Sequence, residues 1–279
     1  KYNPKKDIVY IRFDGIFKNS TVWVNENFCG TRPSGYISFY YDITKFLNKN
    51  GKNLISVKVD NSLQPNSRWY TGNGIYRNTY LIVKNKIHII PWGIYVVTEN
   101  INKKNAEILV KSEIKNCYNE NKDVEIEYVI FTSNGKLVKK IREKVLLKNG
   151  INNIISPKIT IENPLLWSPE EPYLYQVHVN IYDDRKFIDK NIERFGIRYF
   201  RFDPDSGFFL NDKYYKLLGV CLHHDLGCLG SAVYKSAIRR QLTILKEMGC
   251  NAIRTAHNPP APELLDLCDE MGFFVIDEI

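Results

Sequence analysis

The chain has 279 residues, of which 44% are hydrophobic and 25% charged, and its formal net charge is +8. These values are typical of a folded protein of about two domains and exclude a low-complexity or disordered chain. A basic net charge suggests that nucleic acid could be a partner. The lysines, however, are scattered among acidic residues, as in 111–115, so we expect no nucleic-acid binding.

Residues 1–91 carry the alternation of apolar and polar side chains that is typical of half-buried strands. Val9, Ile11 and Phe13 alternate with polar or partly polar neighbours, and a turn-forming Asn-Lys-Asn-Gly stretch follows at 48–51. Such patterns indicate antiparallel sheets with one solvent-exposed face. We predict a jelly-roll sandwich whose N-terminal part lies outside this chain.

Residues 92–199 repeat the same pattern over about one hundred residues. The runs 124–130 and 177–181 both alternate with period two, and the Ser-Asn-Gly stretch 133–135 is a hairpin signal. Short strands over this length predict an immunoglobulin-like β-sandwich. The Cys–Trp–Cys spacing of antibody domains is absent, so the prediction concerns the architecture alone.

Residues 200–279 change period and predict alternating strands and helices. Ile238, Leu242, Leu245 and Met248 recur at helical spacing, which predicts a helix with one apolar face. The predicted elements are a buried strand 217–221, that helix, a strand 251–254, a helix 262–271 and a strand 273–276. This order indicates a parallel sheet, and hence the first units of a (β/α)8 TIM barrel.

A closed barrel needs eight strands, whereas this pattern supplies three. An open piece of three strands leaves an unpaired edge and an apolar face. We therefore expect the chain to be the front portion of a longer protein, cut inside its barrel.

Polar side chains follow the second and third of these predicted strands. Arg254 and His257 come at and just after the second strand, and Asp277 and Glu278 follow the third. Barrel enzymes build their active sites at these carboxyl ends. The alternative interpretation is that Arg254 and His257 merely tie the loop together.

Metal and disulfide chemistry are not expected. The six cysteines lack a CxxC spacing. His223, His224 and Asp225 follow the first barrel strand, but adjacent side chains in an extended segment point opposite ways, which argues against a shared metal. We predict no cofactor. No apolar run is long enough to span a membrane, so no membrane partner is expected.

Several motifs occur in the order found in glycoside hydrolase family 2, and the chain resembles that family along nearly its whole length. The resemblance is carried by 13–17 (FDGIF), 22–25 (VWVN), 35–39 (GYISF), 68–77 (RWYTGNGIYR), 219–227 (GVCLHHDLG), 251–259 (NAIRTAHNP) and 272–276 (GFFVI). One departure is Asn258, where the family usually has tyrosine.

The resemblance implies a retaining hydrolase of β-linked sugars, most often terminal β-D-galactosides, working in carbohydrate metabolism on an oligosaccharide or β-galactoside substrate. Retention needs two carboxyl groups, one as acid/base and one as nucleophile. In the family these are glutamates on later barrel strands, beyond Ile279. We therefore predict that the chain alone is inactive, assign no catalytic residue here, and expect Glu278 to be a supporting residue.

The resemblance also implies a set of substrate contacts. Arg254 and His257 are placed at the floor of the sugar pocket, with Asn258 beside them. His223 is expected to contact the sugar, and Asp225 to accept a sugar hydroxyl or anchor the loop.

Other interpretations stay open. Arg68 and Trp69 belong to a loop that either approaches the barrel mouth or packs as a structural aromatic. A non-catalytic carbohydrate-binding module is the main alternative function. A β-glucuronidase or β-mannosidase of the same family is another. Homo-oligomer formation and a cytoplasmic or periplasmic location are not decided by the sequence.

Overall fold

A computed structural model of the chain describes residues 3, 6–63, 71–102 and 104–278. The chain forms two compact units. The first unit combines Lys1–Val83 with Leu217–Ile279, and the second unit is Lys84–Lys216. The N-terminal sandwich and the barrel segment therefore belong to one unit, although more than 130 residues separate them in sequence.

The N-terminal part of the first unit is an antiparallel β-sandwich. Its sheets have the orders β5-β1-β8, β4-β3-β6 and β2-β7 among the described residues. The core includes Val9, Phe13 and Val22, all at most 1% exposed. The strands are β1 (Asp7–Phe13), β2 (Ile16–Phe17), β3 (Ser20–Val24), β4 (Asn27–Arg32), β5 (Phe39–Asp42), β6 (Ile55–Lys58), β7 (Gly74–Ile75) and β8 (Thr79–Asn85).

The second unit is a larger sandwich with two four-stranded sheets. One sheet has the order β13-β10-β14, with β9 also paired to β10, and the other has the order β12-β11-β15-β16. The strands are β9 (Ile87–Ile101), β10 (Asn105–Asn116), β11 (Lys122–Phe131), β12 (Leu137–Leu147), β13 (Gly150–Ile155), β14 (Ile159–Glu162), β15 (Tyr175–Asp183) and β16 (Lys186–Phe195).

The alternation read from the sequence determines what this sandwich buries. Ile126 and Tyr128 of β11 are fully buried, as are Val177 and Val179 of β15. The predicted hairpin turn is confirmed between β11 and β12. There the Thr132 amide donates to the Lys136 carbonyl at 2.9 Å, and Gly135 has a φ of +82°.

Three short strands not identified from the sequence complete the second unit. They are β17 (Phe200–Asp203), β18 (Gly207–Leu210) and β19 (Lys213–Tyr215), and they form an antiparallel sheet in chain order. The Tyr215 hydroxyl donates to Glu170 Oε2 at 2.6 Å, which ties this sheet to the preceding loop. The parallel pattern thus begins after residue 215.

The C-terminal part of the first unit is a parallel β-α-β-α-β segment, as predicted. Its elements are β20 (Gly219–Leu222), α1 (Lys235–Glu247), β21 (Ala252–Thr255), α2 (Pro262–Met271) and β22 (Phe274–Asp277). The sheet order is β20-β21-β22. Gly272 ends α2 in the left-handed conformation, at a φ of +74°, where a side chain would be strained.

The two helices cover one face of this parallel sheet. Ile238, Leu242 and Leu267 pack there with Ile253. The opposite face is open in the part of the chain that the structure describes, so Cys221 is exposed; Leu217 and Leu218, which precede β20, are exposed as well. The predicted buried strand 217–221 is therefore wrong in that respect. Met248, predicted to continue the apolar helix face, is 68% exposed and lies one residue past the end of α1.

Burial in the second sandwich leads to a matched pair of isoleucine substitutions. Ile126 is fully buried in β11, whereas Ile151 of β13 is 58% exposed. Ile126→Ala should lower the free energy of unfolding by about 2–5 kcal/mol through lost burial and a residual cavity. Ile151→Ala should change it by about 0.5 kcal/mol or less. Urea denaturation measures both, and equal losses would contradict this core assignment.

Candidate functional site

A single carboxylate joins the ends of strands β21 and β22. The Glu278 Oε1 atom accepts a hydrogen bond from Arg254 Nε at 2.6 Å and also pairs with Arg254 Nη2. Its Oε2 atom accepts the backbone N–H of His257 at 2.6 Å and lies 3.5 Å from His257 Nδ1. We call these three residues the carboxylate cluster.

The strand register explains why these residues meet. In the parallel pair β21–β22, Arg254 is opposite Ile276 and Thr255 is opposite Asp277. Glu278 therefore leaves β22 beside the turn that follows β21. His257 occupies that turn with a φ of +78°, which is uncommon for a residue with a side chain. This conformation allows its backbone N–H to donate to the carboxylate.

The hydrogen bonds lower the pKa of Glu278 below its usual value. The His257 backbone N–H is the largest cause; desolvation opposes it, and the Arg254 guanidinium adds to the lowering. A carboxylate accepting these bonds stays ionised at neutral pH. Glu278 is consequently suited to holding Arg254 and the His257 turn in place, and it is a poor proton donor.

Thr255 and Asp277 form a second link between the same strands. The Thr255 hydroxyl donates to Asp277 Oδ1 at 2.9 Å and accepts the Glu278 backbone N–H at 3.2 Å. This link was not identified from the sequence, although the parallel register predicts it once both strands are placed. It fixes the backbone from which the Glu278 side chain departs.

His223 brings the end of β20 to the carboxylate cluster. Its ring centroid lies 5.2 Å from that of His257, with the planes tilted by 48°. The backbone N–H of Asp225 donates to the His223 carbonyl at 2.8 Å, which closes a tight turn and leaves the Asp225 side chain exposed.

His224 faces a different environment from its neighbour. Its ring packs edge-on between Tyr36 and Tyr76, with centroid distances of 5.3 and 5.5 Å. The two adjacent histidines thus point to different surroundings, as expected for an extended segment. Among the described residues, no group of three or more His, Cys, Asp or Glu side chains could hold a metal ion.

Asn258 lies on the cleft side of the loop, away from the carboxylate cluster. It is 3% exposed, and its amide donates to the Ala256 carbonyl at 3.3 Å. Together with His223 and Asp225 it lines a small cleft of about 50 Å³ beside the ends of β20 and β21. The five predicted contacts therefore divide between the cluster and this cleft, and His223 borders both.

Sequence reasoning also missed a buried arginine behind this loop. Arg77 donates to the carbonyls of Pro259 and Pro260, at 2.8 and 3.1 Å, although it lies in the N-terminal sandwich. Only its place inside the motif 68–77 hinted at a role. Arg68 and Trp69, the other residues singled out in that motif, lie outside the described residues.

No helix in the described part of the chain is both long enough and apolar enough to cross a membrane.

Three family models match successive parts of the chain. The sugar-binding domain of glycosyl hydrolases family 2 matches residues 4–85, a further family 2 model matches 87–198, and the family's TIM barrel domain matches 204–279. The chain belongs to glycosyl hydrolases family 2. The predicted fold, a jelly-roll sandwich, an immunoglobulin-like sandwich and the first units of a TIM barrel, is confirmed.

Individual relatives of this family 2 chain carry two activity names. A β-galactosidase of Bacteroides ovatus is 45% identical over 97% of this chain and 32% of its own length. A β-glucuronidase of Bacteroides fragilis is 32% identical over 97% of this chain and 40% of its own length. The chain therefore spans about a third of the length of these relatives.

Solved structures of family 2 proteins superpose closely on the chain. A family 2 member from Bacteroides cellulosilyticus has a TM-score of 0.95 at 38% identity, and 99% of this chain covers 38% of it. A Bacteroides uniformis β-glucuronidase has a TM-score of 0.91 at 31% identity, and 99% of this chain covers 34% of it. The homologues are glycosidases, so the glycoside hydrolase class is established for the family to which this chain belongs.

The carboxylate cluster predicts how Glu278 titrates. We expect the pKa of Glu278 to lie below the usual value for a glutamate carboxyl. Arg254→Met should raise this pKa but leave part of the depression, because the His257 N–H remains. The chemical shift of the Glu278 side-chain carboxyl carbon, followed by NMR as the pH is varied, measures this pKa.

The matched control is Arg201→Met, which removes an arginine paired with Asp203 in the second unit. It should leave the Glu278 titration unchanged. An ordinary pKa for Glu278 in the unmodified protein would show that the cluster does not form in solution.

Proposed function

We propose that the protein containing this chain is a retaining hydrolase of terminal β-D-galactosides, acting on oligosaccharides or β-galactosides in carbohydrate metabolism. The observation that carries the proposal is the carboxylate cluster at the ends of parallel barrel strands, in a chain 45% identical to a β-galactosidase. Such strand ends are where barrel enzymes bind and transform their substrates.

Each part of the chain has a role in this proposal. Residues 1–91 form the jelly-roll sugar-binding domain, 92–199 the immunoglobulin-like sandwich, and 200–279 the start of the catalytic barrel. Arg254 and His257 line the floor of the sugar pocket. His223, Asp225 and Asn258 contact the sugar or shape the loops around it, as their positions around the cleft support.

Within this proposal the 279 residues bind substrate groups but lack the catalytic carboxylates. Retaining hydrolysis needs two carboxyl groups about 5–5.5 Å apart, one of which must act as an acid. Glu278 is held ionised by Arg254 and His257, and Asp277 accepts from Thr255. The glutamates that carry the reaction are assigned to later barrel strands.

A β-glucuronidase is the second candidate, favoured by relatives of that name at 32% identity. A glucuronide carries a carboxylate, which a site normally pairs with a cation. The Arg254 guanidinium already pairs with Glu278, so its charge is compensated within the protein. This pairing supports a neutral sugar, and we therefore place the galactoside first.

Hydrolysis assays on aryl β-galactoside, β-glucuronide and β-mannoside test the proposal. The product of the complete reading frame should turn over the β-galactoside, and the 279-residue chain should turn over none of the three. Preferred turnover of glucuronide or mannoside would reassign the sugar. Turnover by the purified 279-residue chain would contradict the placement of the catalytic carboxylates. If neither protein hydrolysed any of the three substrates, a non-catalytic carbohydrate-binding module would be favoured.

Replacing Arg254 tests its role in that complete enzyme. Arg254→Ala removes the partner of Glu278 and should lower kcat/KM by about 100-fold, the scale expected when site groups shift by about 1 Å. Arg240→Ala, a change at an exposed residue of α1, is the matched control and should leave kcat/KM unchanged. Equal kinetics for both variants, with folding intact by circular dichroism, would return Arg254 to a structural role.

A further inference from the structure

Arg77 lies between the N-terminal sandwich and the loop that carries His257 and Asn258. It is 5% exposed, and its side chain donates to backbone carbonyls on both sides. On the sandwich side Nη1 donates to the Tyr36 carbonyl at 2.7 Å and to the Asp14 carbonyl at 3.4 Å. On the barrel side the guanidinium reaches Pro259 and Pro260.

The barrel-side acceptors follow His257 and Asn258 directly in the chain. Pro259 and Pro260 have no backbone N–H, so neither can form an amide ladder that would fix the loop. Their carbonyls still require donors. Arg77 supplies these donors from a planar fork, and one guanidinium fixes two successive peptide groups.

Close packing around Arg77 leaves it little freedom. A Cβ atom at Gly15 would lie 2.8 Å from Arg77 Cδ, so the sandwich backbone passes directly against the arginine stem. The neighbouring Tyr76 hydroxyl donates to the Gly35 carbonyl at 2.8 Å and its ring packs on His224. On the other side of Arg77 in the chain, Asn78 Nδ2 donates to Glu263 Oε1, at the start of α2, at 2.5 Å.

A further close approach shows that this stretch of the sandwich follows the barrel loops closely. A Cβ atom at Gly72 would lie 2.1 Å from Ser231 Oγ, in the loop before α1. Gly72 also has a φ of +71°, so a side chain there would be strained as well as crowded. Residues 72–78 therefore contact the loops after both β20 and β21.

We propose that Arg77 is a positioning residue for the sugar site, acting through the Pro259 and Pro260 carbonyls to hold the His257–Asn258 turn against Glu278. For catalysis this role rests on the proposed function. Glu278 fixes the His257 N–H from one side of the turn, and Arg77 fixes the carbonyls two and three residues later. The sugar-binding sandwich thereby takes part in building the barrel site.

Hydrogen exchange tests the positioning role independently of activity. The amides of Ala256 and His257 donate to the Leu222 carbonyl and to Glu278, and both should be protected from exchange. Arg77→Met and Arg77→Lys should each speed exchange at these two amides at least tenfold. Exchange in α1, from Ile238 to Leu245, should change less than twofold.

Arg32→Met is the matched control. Arg32 is an exposed arginine of the same sandwich and lies over the Phe39 ring, 5.4 Å from its centroid. This variant should leave exchange at Ala256 and His257 unchanged. Arg77→Lys keeps the positive charge, so it carries the test even where Arg77→Met does not fold.

The same variants are then assayed in the complete protein. Both Arg77 variants should lower kcat/KM at least tenfold on the sugar that the unmodified protein hydrolyses, and Arg77→Lys should be the less affected. Unchanged exchange at His257, or an equal increase throughout the sandwich and α1, would overturn the positioning role. Absence of turnover in the unmodified protein would instead overturn the proposed function, and the exchange result would still decide the role of Arg77.

Discussion

The Glu278 carboxylate is the group on which the candidate site depends. It accepts hydrogen bonds from the Arg254 side chain of β21 and from the His257 backbone N–H in the turn that follows. Its own backbone N–H donates to the Thr255 hydroxyl. Charge-assisted hydrogen bonds of this kind are short and directional. They explain why an arginine extends over the open face of the sheet and why His257 keeps a positive φ.

The rest of the first unit supports this arrangement from behind. Helices α1 and α2 cover one face of the three-stranded sheet, so the strand ends and their loops project from a packed base. Arg77 and Asn78 add polar contacts from the sandwich to the loop after β21 and to α2. A site on rigid elements, with its loops tied at both ends, is suited to holding a sugar in one orientation.

Local patterns predicted much of the fold. Pro262 and Gly272 marked both ends of α2, and the Ser-Asn-Gly stretch 133–135 marked the β11–β12 hairpin. The short strands β17–β19 were missed, since three or four residues give too few alternations to recognise. The strand predicted at 217–221 forms at Gly219–Leu222, but the prediction that it is buried was wrong for Cys221, because sequence hydrophobicity does not tell which face of a sheet the helices cover.

Within the site, the sequence indicated the residues at strand ends but not their partners. Arg254 and His257 were expected together, and the register that brings Glu278 to both depends on strand pairing across about 20 residues. Arg77 and its acceptors are separated by more than 180 residues, so no local pattern could connect them. The different surroundings of His223 and His224 likewise arise from tertiary contacts with His257 and with two sandwich tyrosines.

The most direct measurement is to trap the glycosyl-enzyme intermediate of the complete protein with a 2-deoxy-2-fluoro-β-galactosyl fluoride and map the labelled peptide. A retaining hydrolase forms this ester on its nucleophilic carboxylate, with loss of fluoride from the sugar. We expect one label, on a carboxylate outside these 279 residues. A label on Glu278 would contradict it, because that carboxylate is assigned to holding Arg254 and the His257 turn.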